Sequence, residues 1–146
     1  MIEEGEIVTM EIETETVTAA DVLARRIETI EESYEFMLAY AAQGRSDDGD
    51  GPQPGIRAFL DRIDAALDRL EVVAATAARQ EDARAFDPVV AVLAEDARKA
   101  QALVRLVLSH DAIGSQLVDE LNASIHLRAV LTDLFLIDEW LKARSA

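Results

Sequence analysis

The chain has 146 residues, half of them apolar, and its 29 acidic and 14 basic side chains give a net charge of −15. This length and composition are typical of a single globular domain with a real core, and they exclude a disordered chain. So acidic a surface repels nucleic-acid phosphates and anionic lipids, and we therefore expect neither nucleic acid nor a membrane as a partner. It favours a basic protein partner or divalent cations.

The absence of cysteine excludes disulfides, thiolate metal sites and cysteine nucleophiles. No apolar run approaches the roughly 20 residues that span a bilayer. The chain starts Met1-Ile2-Glu3-Glu4, which is unlike the basic start of a signal peptide. These features predict a cytoplasmic protein.

Residues 1–17 alternate between apolar and polar side chains, with Val8, Met10 and Ile12 on one side. This period of two is typical of a strand, but one short acidic strand is not stable alone. We therefore expect an N-terminal arm, or a strand that is swapped into a second copy. Residues 18–146 then form the helical domain.

Thr18 and Asp21 have the spacing of a capping box with Asp in place of Glu, and Gly44 is a natural helix end. The glycine-, proline- and aspartate-rich residues 44–55 predict a mobile loop. Asp87 and Pro88 predict a second strong helix start, and Ser115 a third. The apolar periodicity predicts helices over about 18–43, 56–79, 88–109 and 115–144. Four such helices with short later connections predict an all-α antiparallel four-helix bundle.

The last predicted helix is apolar on two sides, whereas a surface helix of a small monomer needs only one apolar stripe. We therefore expect it to lie at the centre of the fold, or to bury one side against a second copy in a homodimer or larger homo-oligomer. One stripe comprises Leu117, Val118, Leu121, Ile125, Phe135 and Leu136. The other is our predicted oligomer interface and comprises Leu127, Val130, Leu131, Leu134, Ile137 and Leu141.

An acidic strip lies along the first helix, because Glu28, Glu31, Glu32 and Glu35 share one side at helical spacing. A solvated face is the simplest interpretation, and a docking site for a basic partner or a metal site is the alternative. Glu31 and Glu35 lie nearest to the apolar face.

Asp96 lies within the apolar stripe of the third helix, where a lone charge is very costly to bury. We expect it either to pair with Arg128 of the fourth helix or to lie at the edge of the stripe. His126 belongs to a polar strip on the fourth helix that also contains Asp119, Asn122 and Asp133.

Carboxylates and a histidine in a helical bundle resemble the ferritin-like di-iron proteins, which use Glu-x-x-His motifs on two helices. That resemblance implies iron or manganese held by Glu31, Glu35, Asp96 and His126. The chain departs from the pattern because it contains no Glu-x-x-His, and residue 123 is alanine.

Histidine phosphotransfer domains are also small acidic helical proteins, and they offer a second alternative. The run His126-Leu127-Arg128-Ala129 is similar to their signature, although the cation comes one residue early and the glycine is missing. Sequence motifs for nucleophilic enzymes, nucleotide phosphates or dinucleotides are absent. The sequence therefore favours a non-catalytic interaction or regulatory protein without a cofactor.

Overall fold

The computed structural model describes residues 17–81 and 84–145. Within these ranges the chain is all-helical, with no strand, as predicted. Apart from Val17, the expected N-terminal arm lies outside the described residues. The described part contains six α-helices and one short 3-10 turn at Arg84–Phe86: α1 (Ala19–Ala41), α2 (Ile56–Leu67), α3 (Leu70–Gln80), α4 (Asp87–Leu108), α5 (Ser115–Ala123) and α6 (Ile125–Ser145).

The start of α1 confirms the predicted capping box. Asp21 N–H donates to the Thr18 hydroxyl, and Thr18 N–H donates to the Asp21 carboxylate, both at 3.1 Å. These two bonds satisfy amides that the first helical turn leaves without partners. Past the other end of α1, Gly44 takes a φ of +65°, which glycine adopts without steric cost.

The predicted second helix is in fact two helices, α2 and α3. Asp68 is extended, and Arg69 has a left-handed φ of 54°. The Arg26 guanidinium of α1 donates to the carbonyl oxygens of Ala66 and Asp68. It thereby satisfies groups that the interrupted helix exposes.

The predicted last helix is also broken, and the expectation of one continuous helix was wrong. Ser124 is extended, and its hydroxyl accepts a 3.2 Å bond from His126 N–H, which caps α6. Ser115 is the first residue of α5 rather than its cap, because Gly114 holds that position. In the same way, Phe86 is the N-cap of α4, and Asp87 is already the first helical residue.

All six helices contribute to one hydrophobic core. α1 packs against α2, α3 and α5, while α4 packs against α2, α3 and α6. Within the described residues, no helix is both long and apolar enough to cross a membrane.

The side of α6 predicted to meet a second copy instead faces the chain's own core. Five of its six residues are at most 7% exposed, and the sixth, Leu141, is partly buried. They belong to the core that all six helices form. The five are Leu127, Val130, Leu131, Leu134 and Ile137. The apolar residues that α6 leaves in solvent belong to the other stripe: Ile125, Phe135 and Leu136.

Candidate functional site

Two carboxyl groups meet between α4 and α6. Asp96 and Asp133 are both partly buried, and Asp96 lies close enough to raise the pKa of Asp133. Near one end of the same helix pair, the rings of Phe86 and Trp140 lie 5.5 Å apart. Residue numbers therefore rise along α4 as they fall along α6, so the two helices run in opposite directions.

Burial and the neighbouring carboxyl together change the acidity of Asp133. Desolvation, followed by the hydrogen bond and the charge of Asp96, raises its pKa from 3.8 to about 7. Its Oδ2 atom is buried and receives no donor from the described residues. Protonation of Asp133 removes one of two neighbouring negative charges.

The expected pairing of Asp96 with Arg128 was wrong. Arg128 is exposed, and within the described residues its side chain makes no ion pair with Asp96. Arg128 lies five residues before Asp133, which places it about 140° away around the helix. The tertiary register therefore presents Asp133, and not Arg128, to α4.

An apolar surface adjoins the carboxyl pair. Leu136 and Ile137 follow Asp133 by one helical turn and line a pocket of about 150 Å³. Val92 and Leu136 are 51% and 67% exposed, respectively. We call this region the α4–α6 apolar surface; it comprises Val89, Val92, Leu136 and Trp140. The pocket within it is lined by Ala85, Phe86, Val89, Leu136, Ile137 and Trp140.

The four candidate metal ligands do not converge. Glu35 is exposed on α1, and Glu31 lies close enough to Lys142 of α6 to contribute to the raised pKa of that lysine. His126 lies in the first turn of α6, two turns from Asp133. Within the described residues, no group of three or more histidines and carboxylates has a geometry that could hold a metal ion.

A second buried acid, Asp48, has an entirely different environment. Its carboxylate accepts a 2.6 Å bond from Arg57 and a 2.9 Å bond from Ile113 N–H. Burial acts to raise its pKa, but these two donors outweigh burial, and the pKa is lowered. Arg57 also donates to the carbonyl oxygens of Leu108, His110 and Asp111, which end α4.

This Asp48–Arg57 cluster anchors the start of the loop formed by residues 44–55. Arg45 and Ser115 exchange two 2.8 Å bonds, and the Tyr40 hydroxyl donates to the carbonyl oxygen of Ile113 at 2.6 Å. The mobility expected for the loop stays a prediction. Sequence reasoning missed the cluster, because its members are up to 75 residues apart in the chain.

No protein-family model, characterised protein or solved structure matches the chain. The chemistry of its own residues must therefore carry the functional argument. The carboxyl pair can exchange a proton near neutral pH, and the adjoining surface can bury apolar area.

Proposed function

We propose that this protein is a non-catalytic interaction or regulatory protein that acts as a homo-oligomer through the α4–α6 apolar surface. The observation that carries the proposal is the exposure of Val92 and Leu136 beside a ready-made apolar pocket. Contiguous exposed apolar area of this kind marks interaction sites. In this proposal the contact lies on a different side of α6 from the interface that the sequence predicted, and the two share only Ile137, which lines the pocket.

A second copy is the partner that the charges favour at this surface. Two chains of net charge −15 repel each other over most of their surfaces, and the repulsion is weakest where the surface is apolar. The raised pKa of Asp133 reduces the negative charge beside this surface. A two-fold axis would place identical apolar surfaces against each other, which is the commonest symmetry of homo-oligomers.

Sedimentation velocity of two matched variants tests this proposal. Leu136→Asp places a charge at the centre of the surface, whereas Leu106→Asp does the same at an equally exposed site elsewhere; both leucines are 67% exposed. We expect an oligomer for the wild type and Leu106→Asp, and a folded monomer for Leu136→Asp. Circular dichroism confirms that each variant remains helical. A monomeric wild type, or an oligomer that survives Leu136→Asp, would contradict the proposal.

Native mass spectrometry of protein purified without chelator tests the ferritin-like alternative on the same sample. The interaction proposal expects an oligomer without stoichiometric metal. Near-stoichiometric iron or manganese would favour the metal-protein alternative instead. Glu31 and His126 would then be the first residues to substitute.

We also propose that the outer face of α1 binds a basic protein partner. Glu28, Glu32 and Glu35 are exposed there and form no ion pair with described residues. Calorimetric titration with a lysine-rich peptide tests this proposal by comparing the wild type with a variant in which all three glutamates are changed to glutamine. We expect the variant to bind the peptide more weakly. A control changes three exposed acids elsewhere to amides: Asp87→Asn, Asp111→Asn and Asp119→Asn. Equal loss of affinity in both triple variants would show only a general charge effect.

We propose a four-helix bundle as the architecture, in which α2–α3 and α5–α6 each serve as one long interrupted helix. The supporting observation is that α1 and α4 each contact both α2 and α3. The antiparallel directions of α4 and α6 fit the same arrangement.

A further inference from the structure

A basic groove lies between α1 and α2, although the chain as a whole is strongly acidic. It has a volume of about 390 Å³ and is lined by described residues that include three arginines and no acid. Its lining consists of Val22, Arg25, Arg26, Thr29, Arg62, Ala65 and Ala66. In a chain with twice as many acids as bases, an acid-free groove with three arginines is an unusual concentration of positive charge.

None of the three arginines forms an ion pair with a described residue. Arg25 is exposed, and the Arg62 guanidinium stacks 4.6 Å from the centre of the Phe59 ring. Arg26 donates to two backbone carbonyl oxygens, which leaves further N–H donors of its guanidinium for a ligand. The groove therefore offers several unused donors to an anionic group.

The nearby acids at the groove's ends are directed elsewhere. The Asp21 carboxylate accepts from Thr18 N–H in the capping box. The Asp68 carboxylate accepts from Gln101 and lies 3.9 Å from Arg105. Neither acid neutralises the three arginines of the groove.

We propose that the occupant of this groove is the acidic N-terminal segment of the same chain, residues 1–16. The segment contains six glutamates and no lysine or arginine, and it joins the described chain at Val17, immediately before α1. From there to Arg25 is about 10 Å along the helix, which three or four extended residues can span. The covalent link gives the segment an effective concentration in the millimolar range.

The sequence pattern of the segment fits the construction of the groove. Met10 and Ile12 alternate with Glu11 and Glu13, so an extended chain separates apolar from acidic side chains. The groove floor contains Val22, Ala65 and Ala66, and long arginine side chains can reach over an occupant while their stems pack on it. Residues 1–16 would thus cover their own groove rather than exchange into a second copy.

Paramagnetic relaxation measured by NMR tests this docking in the full chain. Because the protein has no cysteine, Thr9→Cys provides a single site for a spin label. We expect the label to remove most of the amide peak intensity of Thr29 and Ala65. In the double variant Arg25→Gln/Arg62→Gln, the intensities of these two peaks should be several-fold higher than in the labelled wild type. The same increase is expected in 1 M salt, where the Debye length falls to about 3 Å.

A matched control changes two arginines outside the groove, Arg98→Gln/Arg128→Gln, and should leave the broadening intact. Charge exchange gives a second test: Arg25→Glu/Arg62→Glu should release the segment, and adding Glu11→Lys/Glu13→Lys should recapture it. Unchanged intensities at Thr29 and Ala65 with the label in place would overturn the proposal. A mixed sample, with the label on one copy and ¹⁵N on the other, would overturn it by showing broadening between copies.

Discussion

Asp48 and Asp133 are both removed from water to a large extent, yet their pKa values shift in opposite directions. Burial acts to raise the pKa in both cases. Asp48 faces a guanidinium and a backbone N–H, whereas Asp133 faces another carboxyl. The partner therefore decides the sign of the shift, and only the second arrangement leaves a group that titrates near neutral pH.

The largest effect is expected from Asp48→Ala, which should lower the free energy of unfolding by about 3 kcal/mol at pH 7. It leaves the Arg57 guanidinium and the Ile113 N–H without their acceptor. Chemical denaturation measures the loss, and Asp50→Ala, an exposed site in the same loop, should cost less than about 0.5 kcal/mol. Equal losses in the two variants would show that Asp48 is not an anchor.

Arg57→Lys should lower the unfolding free energy by about 2 kcal/mol although the charge is kept. A lysine ammonium is a point charge and cannot reach Asp48 and three carbonyl oxygens as the planar guanidinium does. Chemical denaturation of Arg57→Lys measures this loss. Arg79→Lys, a substitution at an exposed helical site, is the control and should leave the unfolding free energy nearly unchanged. If Arg57→Lys is as stable as the wild type, the positive charge alone accounts for the contribution of Arg57, and its bonds to the carbonyl oxygens do not stabilise the fold.

Asp133→Asn should stabilise the protein by about 1 kcal/mol at pH 8, after allowing for solvent screening of a partly exposed group. The amide can donate to Asp96 and carries no charge. Because the folded-state pKa is raised to about 7, the wild type loses stability as pH rises from about 4 to 7, and the variant should lack that decline. Asp119→Asn, at an exposed site, should keep the wild-type profile.

The pH dependence of Asp48 runs the other way. Its pKa is lowered in the folded protein, so its stabilising effect is present above the ordinary value of 3.8 and is lost on further acidification. Unfolding measured from pH 2 to pH 8 should therefore show two separable changes. Asp48→Ala removes the acidic one, and Asp133→Asn removes the one near neutrality.

The smallest expected effect is the difference between the single variants and the double variant of Asp96 and Asp133, which tests whether the two carboxyls share one proton. Asp96→Asn should stabilise the protein at pH 8 about as much as Asp133→Asn, since either change removes the repulsion. The double variant should add less than about 0.5 kcal/mol to the better single variant. Additive gains would mean that the two groups titrate independently.

Much of the helical layout follows from local signals in the sequence. The capping box at Thr18 and the proline at residue 88 mark helix starts within a residue or two of those observed. Both features act over a single helical turn, so no distant contact is needed to identify them. The breaks at Arg69 and Ser124 lack a glycine or proline. The first coincides with bonds from the distant Arg26, whereas the second has a local serine cap inside a continuous apolar pattern.

In the candidate sites, too, local features could be predicted from the sequence, whereas contacts between distant residues could not. The sequence identified Asp96 as a conflict within an apolar stripe and placed Asp133 on a polar strip. It predicted either Arg128 as the partner of Asp96 or a place for Asp96 at the edge of the stripe. Which side chain faces Asp96 depends on the rotation and register of α6 against α4. A shift of a few residues along a helix changes that partner completely.

By itself, then, the sequence determined an all-helical chain, its main helix starts and the acidic character of its surface, because composition, periodicity and caps act locally. Only the tertiary structure decided which stripe of α6 is core and which is surface, that Asp133 meets Asp96, and that three arginines converge on one groove. These outcomes depend on how helices distant in sequence pack, which the chain's local pattern does not specify.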